Sequence, residues 1–168
     1  MVFLALRHFD IERTSIVIFL ISGIWLFLMK KENKFSLLLP LFYMLVALVS
    51  FFLGSFWVLK LMPLFISSFF SMFILVSYLQ KNSVILHFAE KFSKEPIPSS
   101  EKAYIHRSTL FWFFASLINV SIHIWAFLEP NLDFWLYYSS VGWYGIFLLA
   151  GLIQYLHRHY VFLRSENA

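Results

Sequence analysis

Polar side chains recur along one face of an otherwise apolar stretch, Ser99–Leu128. The residues on this face stand three, four or seven positions apart, which is helical spacing: Lys102, His106, Thr109, Ser116, Asn119 and His123. Lipid chains offer no hydrogen-bond partners, so a polar stripe inside a membrane must face protein or a wet cavity. The stretch therefore predicts a membrane-spanning helix whose polar side contacts another helix.

The last apolar run of the chain has a polar face of its own. Its members share helical spacing: Tyr137, Ser140, Tyr144, Gly151, Gln154 and Arg158. Only a short turn around Pro130 and Asn131 separates the two helices, so we expect them to be antiparallel neighbours. Counting outward from that turn places His106 and Thr109 level with Gln154 and His157. The same count places Asn119 level with Tyr144.

Two interpretations of these facing stripes stay open. The first is hydrogen bonding between helices, which contributes on average about 0.6 kcal/mol for each bond and at most about 2 kcal/mol. The second is a polar pocket for an anionic lipid or the head group of an acyl chain. Its candidate ligand-binding residues are His106, Arg107, Thr109, Asn119, Tyr144, Gln154, His157 and Arg158.

Composition sets the fold class. The chain is 61% hydrophobic and 13% charged, whereas soluble domains carry about 45–50% apolar and about 25% charged residues. We predict a single integral membrane domain, residues 1–168: an all-α polytopic helix bundle with about five transmembrane helices and one amphipathic interfacial helix. The predicted spans are residues 14–29, 35–59, 61–80, 108–128 and 134–156.

The basic residues predict the orientation. They cluster in the first connection, in the connection formed by residues 81–107 and in the C-terminal tail. An excess of lysine and arginine marks the cytoplasmic side, so we expect a multi-pass membrane protein with a cytoplasmic C-terminus. Residues 81–107 should hold the amphipathic helix, which lies on the membrane surface either as a connector or as a docking platform.

Several chemistries are disfavoured. The chain has no cysteine, and no acidic residue lies inside a predicted span. His106 and His157 lie at similar depth, but both neighbour an arginine at the membrane edge, so we do not expect a haem. We predict no catalytic residue, no metal and no cofactor. The net charge of +4 is explained by residues that flank spans, which argues against nucleic-acid binding.

Two motifs, with further residues upstream, resemble a bacterial family. The first has the spacing Tyr-x4-Thr-x2-Trp-x6-Asn: Tyr104, Thr109, Trp112 and Asn119. The second has the spacing Trp-x2-Tyr-x5-Tyr-x13-Arg: Trp135, Tyr138, Tyr144 and Arg158. Across residues 63–158, the order and spacing resemble a family of small inner-membrane proteins similar to those encoded with aryl-polyene and fatty-acid-like biosynthesis systems. The chain departs from that pattern at Gln154, where the family tends to have an acidic residue.

The resemblance implies a non-enzymatic accessory or scaffold protein for the synthesis or handling of an aryl-polyene or acyl-lipid product. Its partners would be membrane lipids and an acyl-carrier protein or acyltransferase at the cytoplasmic face, and it could form an oligomer or join a larger complex. The alternative is a small lipid-binding protein or acyl-transfer enzyme that uses the cytoplasm-facing pocket.

Overall fold

The protein is helical over almost all of the chain that the structure describes. The structure, a computed structural model, describes residues 10–29, 34–93 and 96–162, and no strand occurs among them. This confirms the predicted all-α class. Seven α-helices are present in the described residues: α1 (Ile11–Leu28), α2 (Lys34–Leu53), α3 (Phe56–Leu79), α4 (Val84–Phe92), α5 (Ser99–Leu128), α6 (Leu132–Tyr137) and α7 (Trp143–His157).

Four helical stretches are long and apolar enough to cross a membrane. They are α1, α3, α5 and the continuous stretch Leu132–Tyr160 that contains α6 and α7. Helix α2 has a shorter apolar segment, Leu37–Leu53. A π-helical turn, Tyr138–Gly142, joins α6 to α7, and a second π-helical segment, Arg158–Phe162, follows α7. The exposed surface of these helices is dominated by large apolar side chains, as expected of a membrane protein.

The second and third helices meet earlier than the sequence predicts. The expected boundary near residue 60 rests on the charge of Lys60, but α2 ends at Leu53 and α3 begins at Phe56. Gly54 makes the reversal possible because its φ of 56° is readily reached only without a β-carbon. Lys60 therefore lies inside α3. Helix α5 runs from Ser99 to Leu128, which confirms the single helix predicted for that stretch, with the predicted span 108–128 inside it.

The chain divides into two compact units. The first comprises the described residues up to Phe65 together with Ala126–Ser140. Its main core joins α1, α2 and the start of α3, and consists of Ile18, Val46, Ala47, Leu59 and Met62. A second cluster surrounds the fully buried Trp135.

A buried lysine lies in this first unit. Lys60 is 6% exposed, and its Nζ donates a hydrogen bond of 2.7 Å to the backbone oxygen of Glu129. The same ammonium lies 5.3 Å from the ring centroid of Trp57, within the range of a cation–π contact. Lys60 thus ties α3 to the turn between α5 and α6.

The second unit comprises Ile66–Trp125 and the described residues from Val141 onward. It contains most of α3 and α5, all of α4 and all of α7. The residues predicted to form the polar site all lie in this unit.

Helix α3 ends in a conformation that normally favours glycine. Lys81 has a φ of 56°, and its N–H donates to the Tyr78 oxygen while the N–H of Asn82 donates to the Ser77 oxygen. These two bonds form a Schellman-type C-cap, in which the left-handed residue pays a steric cost for its β-carbon.

We therefore expect Lys81→Gly to raise the free energy of unfolding by about 0.5–1 kcal/mol. Gln80→Gly, one position earlier, is the matched control because its N–H makes a helical bond to the Val76 oxygen. That variant should lose up to about 1 kcal/mol. Thermal unfolding of both variants in detergent micelles measures the difference, and a loss for Lys81→Gly would contradict the assigned backbone strain.

Candidate functional site

Helices α5 and α7 are joined by a shared glutamine. The Nε2 of Gln154 donates to the Ser108 Oγ at 2.9 Å, and its Oε1 accepts a hydrogen bond from the Trp112 indole. Gly151, one turn earlier, lies against the edge of the same indole. These contacts confirm the predicted antiparallel pairing of the two C-terminal helices.

One turn towards the end of α7, two more pairs connect the same helices. The Tyr104 hydroxyl and the His157 Nδ1 are 2.9 Å apart, and the two rings are stacked with an angle of 4° between their planes. Arg158 forms an ion pair with Glu101 in the first turn of α5. The Phe162 ring also stacks on Tyr104, with ring centroids 4.5 Å apart.

The rest of the α5 stripe faces α3 and α4 instead. Asn119 donates from Nδ2 to the Ser67 Oγ at 3.1 Å, and Ser116 donates to the Ser71 Oγ at 3.0 Å. Thr109 is fully buried, and its Oγ1 lies 2.5 Å from the Oγ of Ser83, the N-cap of α4. The stripe is therefore divided between two neighbours, which the sequence reasoning did not distinguish.

Tyr144 does not join Asn119 as expected. It is 51% exposed, and its ring stacks on the adjacent Trp143. The reason is helical geometry: Tyr144 lies ten residues before Gln154, so it is turned about 80° away from the face that contacts α5. The structure does not bring Tyr144 and Asn119 together, and Asn119 bonds to Ser67 instead.

Two predicted site residues, His106 and Arg107, lie outside these hydrogen bonds, in the first part of α5. The His106 ring stacks on Tyr78 of α3 with centroids 5.0 Å apart. Arg107 is exposed and forms no ion pair with any residue that the structure describes. The structure thus brings Thr109, Gln154, His157 and Arg158 into bonded contacts, keeps His106 in a ring contact, and leaves Arg107 open to a ligand.

Several residues that form these contacts were not predicted from the sequence. Glu101 and Ser108 were not among the candidates, although the same outward count places them near Arg158 and Gln154. Ser83 could be found only through its place in three dimensions, because residues 81–107 were interpreted as a surface connection.

The chemistry of the site follows from these contacts. The buried hydroxyl and amide groups bond to one another, which is how polar groups are satisfied in lipid. Among the described residues, no group of three histidine or acidic side chains could hold a metal ion. Among the described residues of the second unit, two carry carboxylates, Glu90 and Glu101, and five are cationic: Lys81, Lys91, Lys102, Arg107 and Arg158. We call the surface formed by these five cations the cationic rim.

Thr109 offers a test of how α4 is held. We expect Thr109→Val to cost about 1–2 kcal/mol, because the buried Ser83 hydroxyl loses its partner on α5. Thr109→Ser keeps the hydroxyl and serves as the control, with a smaller loss. Amide hydrogen exchange across α4 is the direct measurement, and equal protection in both variants would contradict the assigned bond.

Comparisons with protein-family models, with curated proteins and with solved structures find no match. The resemblance to the inner-membrane family stays a prediction, and a function must be argued from the site itself.

Proposed function

We propose that the protein is a non-enzymatic accessory protein of a bacterial inner membrane, which holds soluble enzymes that make or handle an acyl-lipid or aryl-polyene product. The observation that supports this role is that polar groups of the α5 stripe form hydrogen bonds to neighbouring helices. Thr109, Ser116 and Asn119 of the stripe bond to hydroxyls of neighbouring helices. Gln154 of α7 likewise bonds both Ser108 and Trp112 of α5. A proton-transfer catalyst instead needs a group within reach of substrate.

The cationic rim supports a protein partner of acidic character. Arg107 and Lys91 are exposed and make no ion pair within the described chain. Complementary charge accelerates encounter and selects partners, and an acyl-carrier protein is an acidic partner of the kind that such a rim attracts. With the basic side in the cytoplasm, the rim would face the compartment where such enzymes work.

The test is binding of an acyl-carrier protein from the same cell to the purified protein in neutral detergent, at low and at moderate salt. We expect a salt-sensitive complex that Arg107→Glu weakens about tenfold or more through loss and reversal of charge. Arg13→Glu, an exposed arginine in the first unit, is the matched control and should bind as the parent does. No complex at either salt concentration, or an equal loss in the control, would overturn the proposal.

The alternative is a lipid-binding protein or acyl-transfer enzyme. The observation that favours it is the pair formed by the Tyr104 hydroxyl and the His157 Nδ1, next to the guanidinium of Arg158. A phenol and an imidazole in contact could exchange a proton, and an arginine could hold an anionic head group. A lipid that copurifies with the parent and is lost in His157→Ala would favour this alternative.

A further inference from the structure

Helix α4 is held at a defined place by a network of buried hydroxyls. Ser83 accepts a hydrogen bond from the Leu86 N–H at 3.1 Å and contacts Thr109 at 2.5 Å. Ser77 accepts from the Val84 N–H at 3.3 Å. The first turn of α4 is therefore fixed to both α3 and α5.

This attachment sets the depth of α4. Thr109 lies where the apolar part of α5 begins, since Leu110 and the residues that follow it are almost all apolar. The bond to Ser83 places the start of α4 at that same level. The helix thus begins at the boundary between the apolar and polar parts of a candidate membrane-spanning helix.

The apolar side of α4 is aromatic and uncovered. Phe88 and Phe92 are 52% and 78% exposed, and their rings stack with centroids 6.5 Å apart. On the other side, Glu90 forms an ion pair with Lys102 of α5 at 2.6 Å. At about 100° per residue, both phenylalanines lie roughly 160° around the helix from Glu90. The aromatic pair therefore faces away from the side that is held by α5.

Two lysines carry positive charge in and next to α4: Lys91 lies in the helix, and Lys81 precedes it. Lys91 lies about 60° around the helix from Phe88, at the border of the apolar side. Lys81 occupies the left-handed C-cap of α3 with φ of 56°, where glycine would be less strained. Neither lysine forms an ion pair with a residue that the structure describes. A charged side chain at a position of strained backbone indicates that its charge has a function.

We propose that α4 and Lys81 form a binding site for anionic phospholipid at the membrane surface. Phe88 and Phe92 enter the upper acyl-chain region, and Lys81 and Lys91 bind the phosphate groups above it. The apolar stems of lysines reach along the interface while their ammonium groups stay among head groups. This site shares Lys81 and Lys91 with the cationic rim but does not use Arg107, the residue on which the test of the proposed function depends.

The experiment exploits the absence of cysteine from the chain. The full-length protein is spin-labelled at Phe92→Cys and reconstituted into phosphatidylcholine nanodiscs with and without phosphatidylglycerol. We expect the label to be more accessible to oxygen than to a water-soluble nickel complex. The matched control is His87→Cys, an exposed site on the other side of α4, where the preference should be reversed. A label at position 92 that is accessible to nickel in both lipids would overturn the proposal.

The second arm tests the charges. Phosphatidylglycerol should deepen the label at position 92, and Lys91→Gln should abolish that deepening. Lys102→Gln makes the same change of charge at a lysine already paired with Glu90, so it should retain the response. An equal depth in both lipids for the unsubstituted lysines would overturn the anionic selectivity.

A protein occupant gives a different result. If the label at position 92 is exposed in both lipids and becomes protected only when the acyl-carrier protein is added, the lipid site is wrong and the face belongs to that partner. Because the binding test of the proposed function is performed in neutral detergent with Arg107→Glu, failure of one proposal is distinguishable from failure of the other.

Discussion

Lys60→Glu should destabilise the protein more than any other single substitution considered for this chain. Lys60 is 6% exposed, and its Nζ donates to the backbone oxygen of Glu129 at 2.7 Å. A carboxylate at this place would face that carbonyl oxygen, and the charge of Glu129 would repel it. Loss of a buried charged partner typically costs about 3–5 kcal/mol, so we expect a loss of at least about 3 kcal/mol.

Lys102→Glu is the matched control for that prediction. Lys102 also stands beside a glutamate, Glu90 at 2.6 Å, but its side chain is 46% exposed. Exposed ion pairs contribute about 0–1 kcal/mol, so this variant should unfold close to the parent. Thermal unfolding in detergent is the measurement, with about 2–4 °C expected for each kcal/mol in a chain of this size. Similar losses in the two variants would show that Lys60 is not buried as described.

Gln154→Leu should weaken the contact between α5 and α7. The substitution removes both the donor to Ser108 and the acceptor of the Trp112 N–H. Hydrogen bonds between membrane helices contribute on average about 0.6 kcal/mol and at most about 2 kcal/mol, so we expect a total loss of about 1–2 kcal/mol. The half-buried indole N–H of Trp112 would also lose its acceptor, which makes the loss larger than the average for a single bond.

The matched control introduces the same residue one position earlier. Ile153 is 55% exposed on the outer side of α7, and Ile153→Leu should change stability by less than about 0.5 kcal/mol. A double-mutant cycle with Trp112→Phe isolates the shared bond, because two variants that remove one interaction cost less together than their sum. Strict additivity would mean that Gln154 and Trp112 do not interact.

The antiparallel pairing of α5 and α7 was predictable because it depends on local quantities. The short turn at Pro130 and the rise per residue fix which residues are level, so Gln154 and His157 were placed near the start of α5 correctly. The same count failed for Tyr144, because depth alone does not specify the direction around the helix axis. Ten residues separate Tyr144 from Gln154. At about 100° per residue, this leaves the Tyr144 side chain about 80° away from the side of α7 that contacts α5.

The charged residues show a second limit of the sequence. Lys60 was interpreted as part of a loop because a charge in an apolar run usually marks the membrane edge. Its burial depends on a carbonyl contributed by Glu129, 69 positions away. No local pattern can report a partner at that separation.

From sequence alone, composition and the length of the apolar runs determined an all-α membrane protein, since the bilayer sets both the required length and the required polarity of a spanning helix. Helical spacing also determined that α5 carries a polar side. Only the tertiary structure decided how that side is shared between α3, α4 and α7, and which cations lack an ion pair among the residues that it describes. Those features depend on directional bonds between distant residues, such as Thr109 with Ser83 and Asn119 with Ser67, and each such bond requires that the helices already lie together.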